Sequence, residues 1–322
     1  RKKDKMKKVF NYLRIIIAIT LLYYLLKKID FQESLKVLKT LNFYYLFLAN
    51  FAFFMFLIIS NIRWKMLCSA IEINSSFSYL LKVYFASLFF NNILPTTIGG
   101  DVIRIAYTTK EKGLSPAFSA VFVDRAIGFI GLFFFALIAS FFIFLENKNL
   151  YYLWLNALGT SILLLILFIL FSEKFYSLFK KIYSKIRILK IGEKIEKLHL
   201  SIIVFKNHQL TMFYNFCFSL LIQFFLSLVW YFGSKSLNTN PKLLPYFLYI
   251  PLIGIITMLP ITIGGLGIRE NSFTIFFRND LGENNARLAS LIFLLINFFF
   301  SLIGGIIFLF LKREDKNGST KS

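Results

Sequence analysis

At 322 residues, 57% of them hydrophobic and 19% aromatic, the chain carries more apolar surface than one water-soluble core of that size can hide. Its formal net charge of +21 collects at 1–8, 174–206 and 312–321, between and outside the apolar runs. That placement excludes a nucleic-acid-reading module and fits the basic loops that orient membrane helices and meet anionic lipid. Cys68 and Cys217 stand far apart, and His199 and His208 have no neighbouring ligands, so neither a disulfide framework nor a metal or cofactor site is expected.

Taken in chain order, apolar runs predict membrane segments at 9–26, 43–62, 77–94, 117–145, 150–171, 210–232, 243–259 and 286–311. Each approaches the roughly 20 residues that a helix needs to cross about 30 Å of hydrocarbon. The first is flanked by charge on both sides and lacks a small-residue cleavage site, so it reads as a retained span and not a signal peptide. The long polar connection at 173–209 repeats Phe175, Leu178, Phe179, Ile182, Ile186 and Leu189 at three- and four-residue steps among lysines and an arginine. That pattern suits a basic helix lying along an anionic leaflet, or a plain cytoplasmic linker. The expected organisation is one transmembrane domain over 1–322: a half-repeat at 1–172, the linker at 173–209, a half-repeat at 210–311 and a polar tail at 312–322. The fold class is all-α, a polytopic helical membrane protein with about eight membrane segments.

The two halves share a phrase. Residues 94–104 read LPTTIGGDVIR and residues 259–269 read LPITIGGLGIR, identical at eight of eleven positions. Pro95 and Pro260 each close an apolar run and should end a helix. The pairs Gly99-Gly100 and Gly264-Gly265 permit positive φ and close backbone approach. Amides exposed at such a break, with a helix starting behind them, suit an anion, and Arg104 and Arg269 follow at the same distance to offer a bidentate contact. A tight interhelical turn with a snorkelling arginine is the plainer reading of one copy; two copies favour a site.

The positive-inside rule would keep the basic amino terminus, linker and tail all cytoplasmic. Five crossings before the linker and three after it break that parity. It is restored if the segments carrying the phrase, 77–116 and 243–285, each dip in and return, the first from the inside and the second from the outside. The halves would then be inverted repeats with two re-entrant or broken helices; eight full crossings are the alternative.

Asp124-Arg125 interrupts an otherwise apolar span, where a charge costs about 2.5–3.5 kcal/mol on insertion scales and calls for a cavity and a partner. Asp101 precedes Arg104 by three residues on one helical face, and Glu270 follows Arg269 directly. A cavity holding Asp101, Arg104, Asp124, Arg125, Arg269 and Glu270 would suit an anionic or zwitterionic lipid headgroup, or the carboxylates would simply pair the arginines. The small-residue spacings at Gly128/Gly131 and Gly304-Gly305 read as close helix packing.

The stretch NNILPTTIGGDVIRIAYTTKEKGLSPAFSAVFVDRAIGFIG and the second phrase LPITIGGLGIRE resemble the two hallmark stretches of the lysylphosphatidylglycerol synthase transmembrane family, whose members are also described as flippase-like. The resemblance spans nearly the whole chain. It implies a module that moves a phospholipid, such as aminoacyl-phosphatidylglycerol, or a lipid-linked headgroup between leaflets of the plasma membrane. No soluble synthase domain is expected, and lysyl transfer is therefore not implied. Membrane lipids are the expected partners, with a homo-oligomer or a biosynthetic enzyme as further ones; both termini are expected to be cytoplasmic. The alternatives are an integral-membrane transferase using Asp101 or Asp124 as base, and a non-catalytic membrane subunit of an envelope-lipid complex.

Overall fold

A computed structural model describes residues 39–93, 99–148, 150–171, 200, 203–258, 262 and 264–311. The expected first span at 9–26, the basic linker helix, the tail, Pro95 and Pro260 lie outside the described residues. Among these residues the secondary structure is entirely helical: α1 Phe43–Ala70, α2 Phe77–Ile93, α3 Gly99–Lys112, α4 Leu114–Asn147, α5 Tyr151–Phe171, α6 Gln209–Lys235, α7 Leu244–Met258, α8 Ile268–Leu281 and α9 Glu283–Phe310.

Length separates these helices into two kinds. Four of them, α1, α4, α6 and α9, have 27 to 34 residues and are long and apolar enough to cross a membrane. The polytopic all-α expectation therefore holds. By contrast α2, α3, α7 and α8 have 14 to 17 residues. At 1.5 Å per residue they reach about 21–26 Å, short of a hydrocarbon core about 30 Å thick. The sequence placed α2 and α7 within a residue or two of their observed ends, and it expected a helix to start behind each glycine pair without giving α3 and α8 bounds. Their charged residues, Asp101, Arg104 and Lys112 in one and Arg269, Glu270, Arg278 and Asp280 in the other, remove any apolar run by which they could be recognised.

Each short pair folds as an antiparallel hairpin. In α2–α3, the Glu111 carboxylate accepts the Asn74 N–H at 2.7 Å and the Ser75 hydroxyl. The Tyr79 hydroxyl donates to the Tyr107 carbonyl at 3.4 Å, and the Gly100 N–H donates to Asn91 Oδ1 at 2.7 Å. In α7–α8, Tyr249 stacks on Phe276 with ring centroids 4.9 Å apart, and Tyr246 packs on Phe277 at 4.3 Å. Gly113 and Gly282, at φ 91° and 78°, turn the chain out of each hairpin into the next long helix.

The helix order thus repeats. Long helix, hairpin and long helix occur as α1–α2–α3–α4 and again as α6–α7–α8–α9. Phe43 and Gln209, Phe77 and Leu244, Gly99 and Ile268, and Leu114 and Glu283 begin corresponding elements, 166 to 169 residues apart. This matches the 165-residue offset of the phrase and extends the internal repeat from eleven residues to whole elements.

The chain forms two compact units, and each has its own core. In the first (39–58, 81–103 and 222–311), Trp230 is sandwiched between Phe273 at 4.3 Å and Phe293 at 4.1 Å, and Phe53, Tyr246, Phe277 and Phe300 extend the aromatic cluster. In the second (59–80 and 104–221), Trp64, Leu67 and Leu80 are buried with the inward face of α4, from Ala117 to Ile143. There α4 and α5 pack along their length, joined by an Asn156 amide donating to the Ser140 hydroxyl at 2.7 Å.

Candidate functional site

The second unit buries a three-charge cluster. Arg104, from α3, donates through Nη2 to Asp124 Oδ2 at 2.7 Å, and Arg63, from α1, donates through Nε to Asp124 Oδ1 at 2.8 Å. Arg63 Nη1 also donates to Ser219 Oγ on α6 at 2.7 Å, and that hydroxyl donates to the Asn215 carbonyl at 2.9 Å. The Arg104 guanidinium lies over the Trp64 ring at 4.4 Å, a cation–π contact that also covers it from solvent. Side-chain exposures are 9%, 6% and 3% for Arg63, Arg104 and Asp124. Two cations and one anion are therefore held away from water.

Helix register explains the arrangement. Asp124 is ten residues into α4, about 15 Å from its start, and Arg63 is seven residues from the end of α1, about 10 Å in. Gly128, one turn beyond Asp124, leaves the space that the Arg63 guanidinium fills: a Cβ there would meet its Nη1 at 3.3 Å. Gly131, in contrast, faces the Ser219 backbone and side chain, as close helix packing requires. The small-residue spacing on α4 thus serves two ends, only one of which the sequence suggested.

The first unit holds a second arrangement around the other phrase. Glu270, fully buried in the first turn of α8, accepts the Gly267 N–H at 2.7 Å through Oε2. Its Oε1 accepts both Nε and Nη2 of Arg269, at 3.0 and 2.7 Å. The Arg269 guanidinium lies 4.8 Å over Phe293. Here the carboxylate caps a helix and neutralises its neighbour, so the pair carries no excess charge. Asp101 is buried in the first turn of α3, where a carboxylate meets the positive end of the helix. Arg125 is half-buried on α4, next to Asp124 in sequence.

The two glycine pairs differ in backbone. Gly264 and Gly265 have φ of 56° and 76°, as a break requires, whereas Gly99 and Gly100 are already helical. Gly100 is demanded by proximity instead: a Cβ would fall 2.3 Å from the Ser87 carbonyl oxygen. Both phrases approach Asn91, on α2. A Cβ on Gly264 would lie 3.0 Å from the Asn91 carbonyl oxygen, the same residue whose side chain accepts the Gly100 N–H. Asn92, beside it, shares side-chain hydrogen bonds with Asn297 of α9 at 3.4 and 3.5 Å.

Sequence reasoning missed Arg63, Ser219 and Asn91. Arg63 fell just past the predicted end of the 43–62 span and was not singled out; α1 continues to Ala70 and makes it interior. Asn91 stood in the motif but carries no charge to single it out.

A repeated pair of short helices with an ion-paired arginine behind each glycine pair is a specific enough pattern to compare with known proteins. The transmembrane region of lysylphosphatidylglycerol synthase, as a family, matches residues 11–305. The chain belongs to that family. It is also similar to a UPF0104 membrane protein of Pyrococcus horikoshii, 25% identical over 93% of this chain and 96% of that protein. A UPF0104 membrane protein of Methanothermobacter thermautotrophicus is 25% identical over 81% of this chain and 80% of its own length. A third, from Methanocaldococcus jannaschii, is 30% identical over 47% of this chain and 46% of its own length. The family match covers both phrases and every helix named above except the last few residues of α9.

Proposed function

We propose that this protein of the lysylphosphatidylglycerol synthase transmembrane family passes a phospholipid, with aminoacyl-phosphatidylglycerol as one candidate, between the leaflets of the plasma membrane. The observation that carries the reading is the Arg63–Asp124–Arg104 cluster, three charged side chains buried inside apolar helices. Charge held at such depth is costly and usually marks a site. A phosphate is a ligand that such a cluster suits, since guanidinium groups bind it in a planar fork. The headgroup would cross through the polar interior while its acyl chains stay in lipid. Asp124, which a lipid-linked transferase would use as base, has its two oxygens engaged by different guanidinium groups, and this favours translocation over group transfer.

Reconstitution into liposomes with leaflet-labelled phosphatidylglycerol tests the function. The wild-type protein should accelerate leaflet exchange. Arg104→Ala should lower the rate by about tenfold or more, the loss of one charge-assisted contact, and Arg269→Ala, already paired in a neutral unit, should lower it less. Exchange no faster than in empty liposomes, with any anionic or zwitterionic lipid, would remove the reading.

The short hairpins support inverted re-entrant segments in place of eight full crossings. With α2–α3 returning to the inside and α7–α8 to the outside, Lys112→Cys and Asp280→Cys, both exposed at hairpin ends, should react with a membrane-impermeant maleimide from opposite faces of right-side-out vesicles. Labelling of both from one face would reject the inversion.

A further inference from the structure

The second unit contains a cavity of about 710 Å³ that takes no part in the charge cluster. It opens where three helix ends come together: the last turns of α1, supplying Lys65 and Ser69; the first residue of α2, Phe77; and the start of α6, supplying His208 and Thr211. His208 occupies the N-cap position, because its carbonyl accepts the first intrahelical bond from the Met212 N–H at 3.0 Å. Two helix amino termini, those of α2 and α6, therefore border the cavity and lend it positive partial charge. Lys65 is half-buried, with its ammonium 5.9 Å from the Phe77 ring centroid.

One carboxylate lies at the rim. Glu72 is exposed and forms an ion pair with Lys112. A hydrogen bond from Lys112, reinforced by its charge, holds the Glu72 carboxyl below its ordinary range, so it is ionised at neutral pH and already matched by a cation. The groups left facing the cavity are cationic, donor-bearing and apolar, the last from Ile62, Met66 and Phe77. That combination fits an amphiphile with an anionic head.

The cavity also stands in line with the cluster. On α6, Thr211, Asn215 and Ser219 succeed one another at four-residue steps and so share one face. Asn215 is fully buried, its amide donates to the Thr211 carbonyl at 2.9 Å, and its Oδ1 accepts no hydrogen bond. Ser219 ends the row at Arg63. A buried polar row of this kind is expensive in an apolar helix and is retained where something polar passes or binds.

We infer that the cavity lined by Lys65, Ser69, His208 and Thr211 is a reception site for the phosphate of a phospholipid headgroup, from which the Thr211–Asn215–Ser219 row leads to Arg63. The inference rests on the translocation reading for its place in a path, but binding at the cavity stands apart from transport. Inorganic phosphate shares the recognised chemistry and distinguishes a soluble source from a lipid one.

Titration of the full chain in detergent with dihexanoyl-phosphatidylglycerol, and separately with inorganic phosphate, tests it by thermophoresis. Lys65→Gln/His208→Gln should raise the lipid Kd by about tenfold or more, the loss of charge-assisted contacts, while Lys242→Gln leaves it unchanged. Should the double change lower the yield of folded protein, Lys65→Gln alone, with Lys65→Arg as the charge-preserving rescue, carries the same comparison. An unaltered Kd in the folded variants overturns the site. Inorganic phosphate binding as tightly as the lipid overturns the lipid source. Loss of lipid affinity in a protein that never accelerates leaflet exchange would retain the site and refute translocation; exchange with an unaltered Kd would do the reverse.

Discussion

Replacing Asp124 by alanine is expected to destabilise the protein by about 3–5 kcal/mol, the range for removing one partner of a buried ion pair and leaving the other charged. The effect should sit at the upper end, because two guanidinium groups each lose an ion pair at once. Neither can lose its proton, and Arg104 is held against the Trp64 ring with little exposure to water. Arg63→Leu is the informative counterpart. It leaves the Arg104–Asp124 ion pair in place, and Ser219 keeps its bond to the Asn215 carbonyl, so a loss of only about 1–3 kcal/mol is expected, that of hydrogen bonds to a charged group. Thermal unfolding in detergent, followed by the monodisperse fraction on size exclusion, should rank wild type above Arg63→Leu and Arg63→Leu well above Asp124→Ala. Leaflet exchange should rank differently: Arg63→Leu removes one guanidinium group from the cluster and should lose activity while remaining folded. Equal stability of the two variants would mean that the cluster is solvated and not the closed unit described above.

Gly304→Ala is expected to be the most damaging single methyl added to the first unit. Its Cβ would fall 2.0 Å from the Phe85 carbonyl oxygen and 2.7 Å from the Phe85 carbonyl carbon. Both are backbone atoms of α2, which can move only by shifting the helix away from α9. Overpacking of this kind costs about 1–3 kcal/mol, occasionally more, and a backbone clash belongs at the high end. Gly233→Ala supplies the control within the same unit. Its nearest neighbour would be the Ile292 Cγ2 at 3.6 Å, an ordinary contact. There the change should stabilise α6 by up to about 1 kcal/mol, the helix-propensity difference between the two residues. A denaturation series in which Gly233→Ala and Gly304→Ala behave alike would contradict the close approach of α2 and α9.

Much of the fold was legible because lipid simplifies the reading. Apolar length alone located α4, α5, α6 and α9 to within a few residues, since every backbone polar group in hydrocarbon must be satisfied inside a helix. The repeated phrase marked both breaks. The short helices α3 and α8 were legible only as helices starting behind the breaks: without an apolar run of their own, nothing in the sequence marks where they end. The end of α1 was placed short for a related reason. Arg63 and Lys65 interrupt the apolar run, although the helix continues to Ala70 and turns Arg63 inward.

The candidate site divides along similar lines. Arg104, Asp124, Arg269 and Glu270 each announced themselves as charges in apolar surroundings, and each is engaged in an ion pair. Sequence spacing set Asp101 and Arg104 on one helical face. The structure adds an ion pair from Arg104 to Asp124, on another helix, and the pair Arg269–Glu270 is made between neighbours in the chain. Two copies of one phrase therefore have different settings, an ion pair to another helix behind the first and a helix cap behind the second.

By itself the sequence determined the solvent, the helical class, the internal repeat and the family, because these depend on composition and on runs of residues adjacent in the chain. Only the tertiary structure decided which carboxylate answers which arginine, that Arg63 belongs with them, and that Gly100 and Gly304 are fixed by neighbours at 2.3 and 2.0 Å and not by their own backbone angles. Those are contacts between helices, set by the rotation of each about its own axis. A rotation of 100° per residue turns an error of one or two positions in a helix end into a different face.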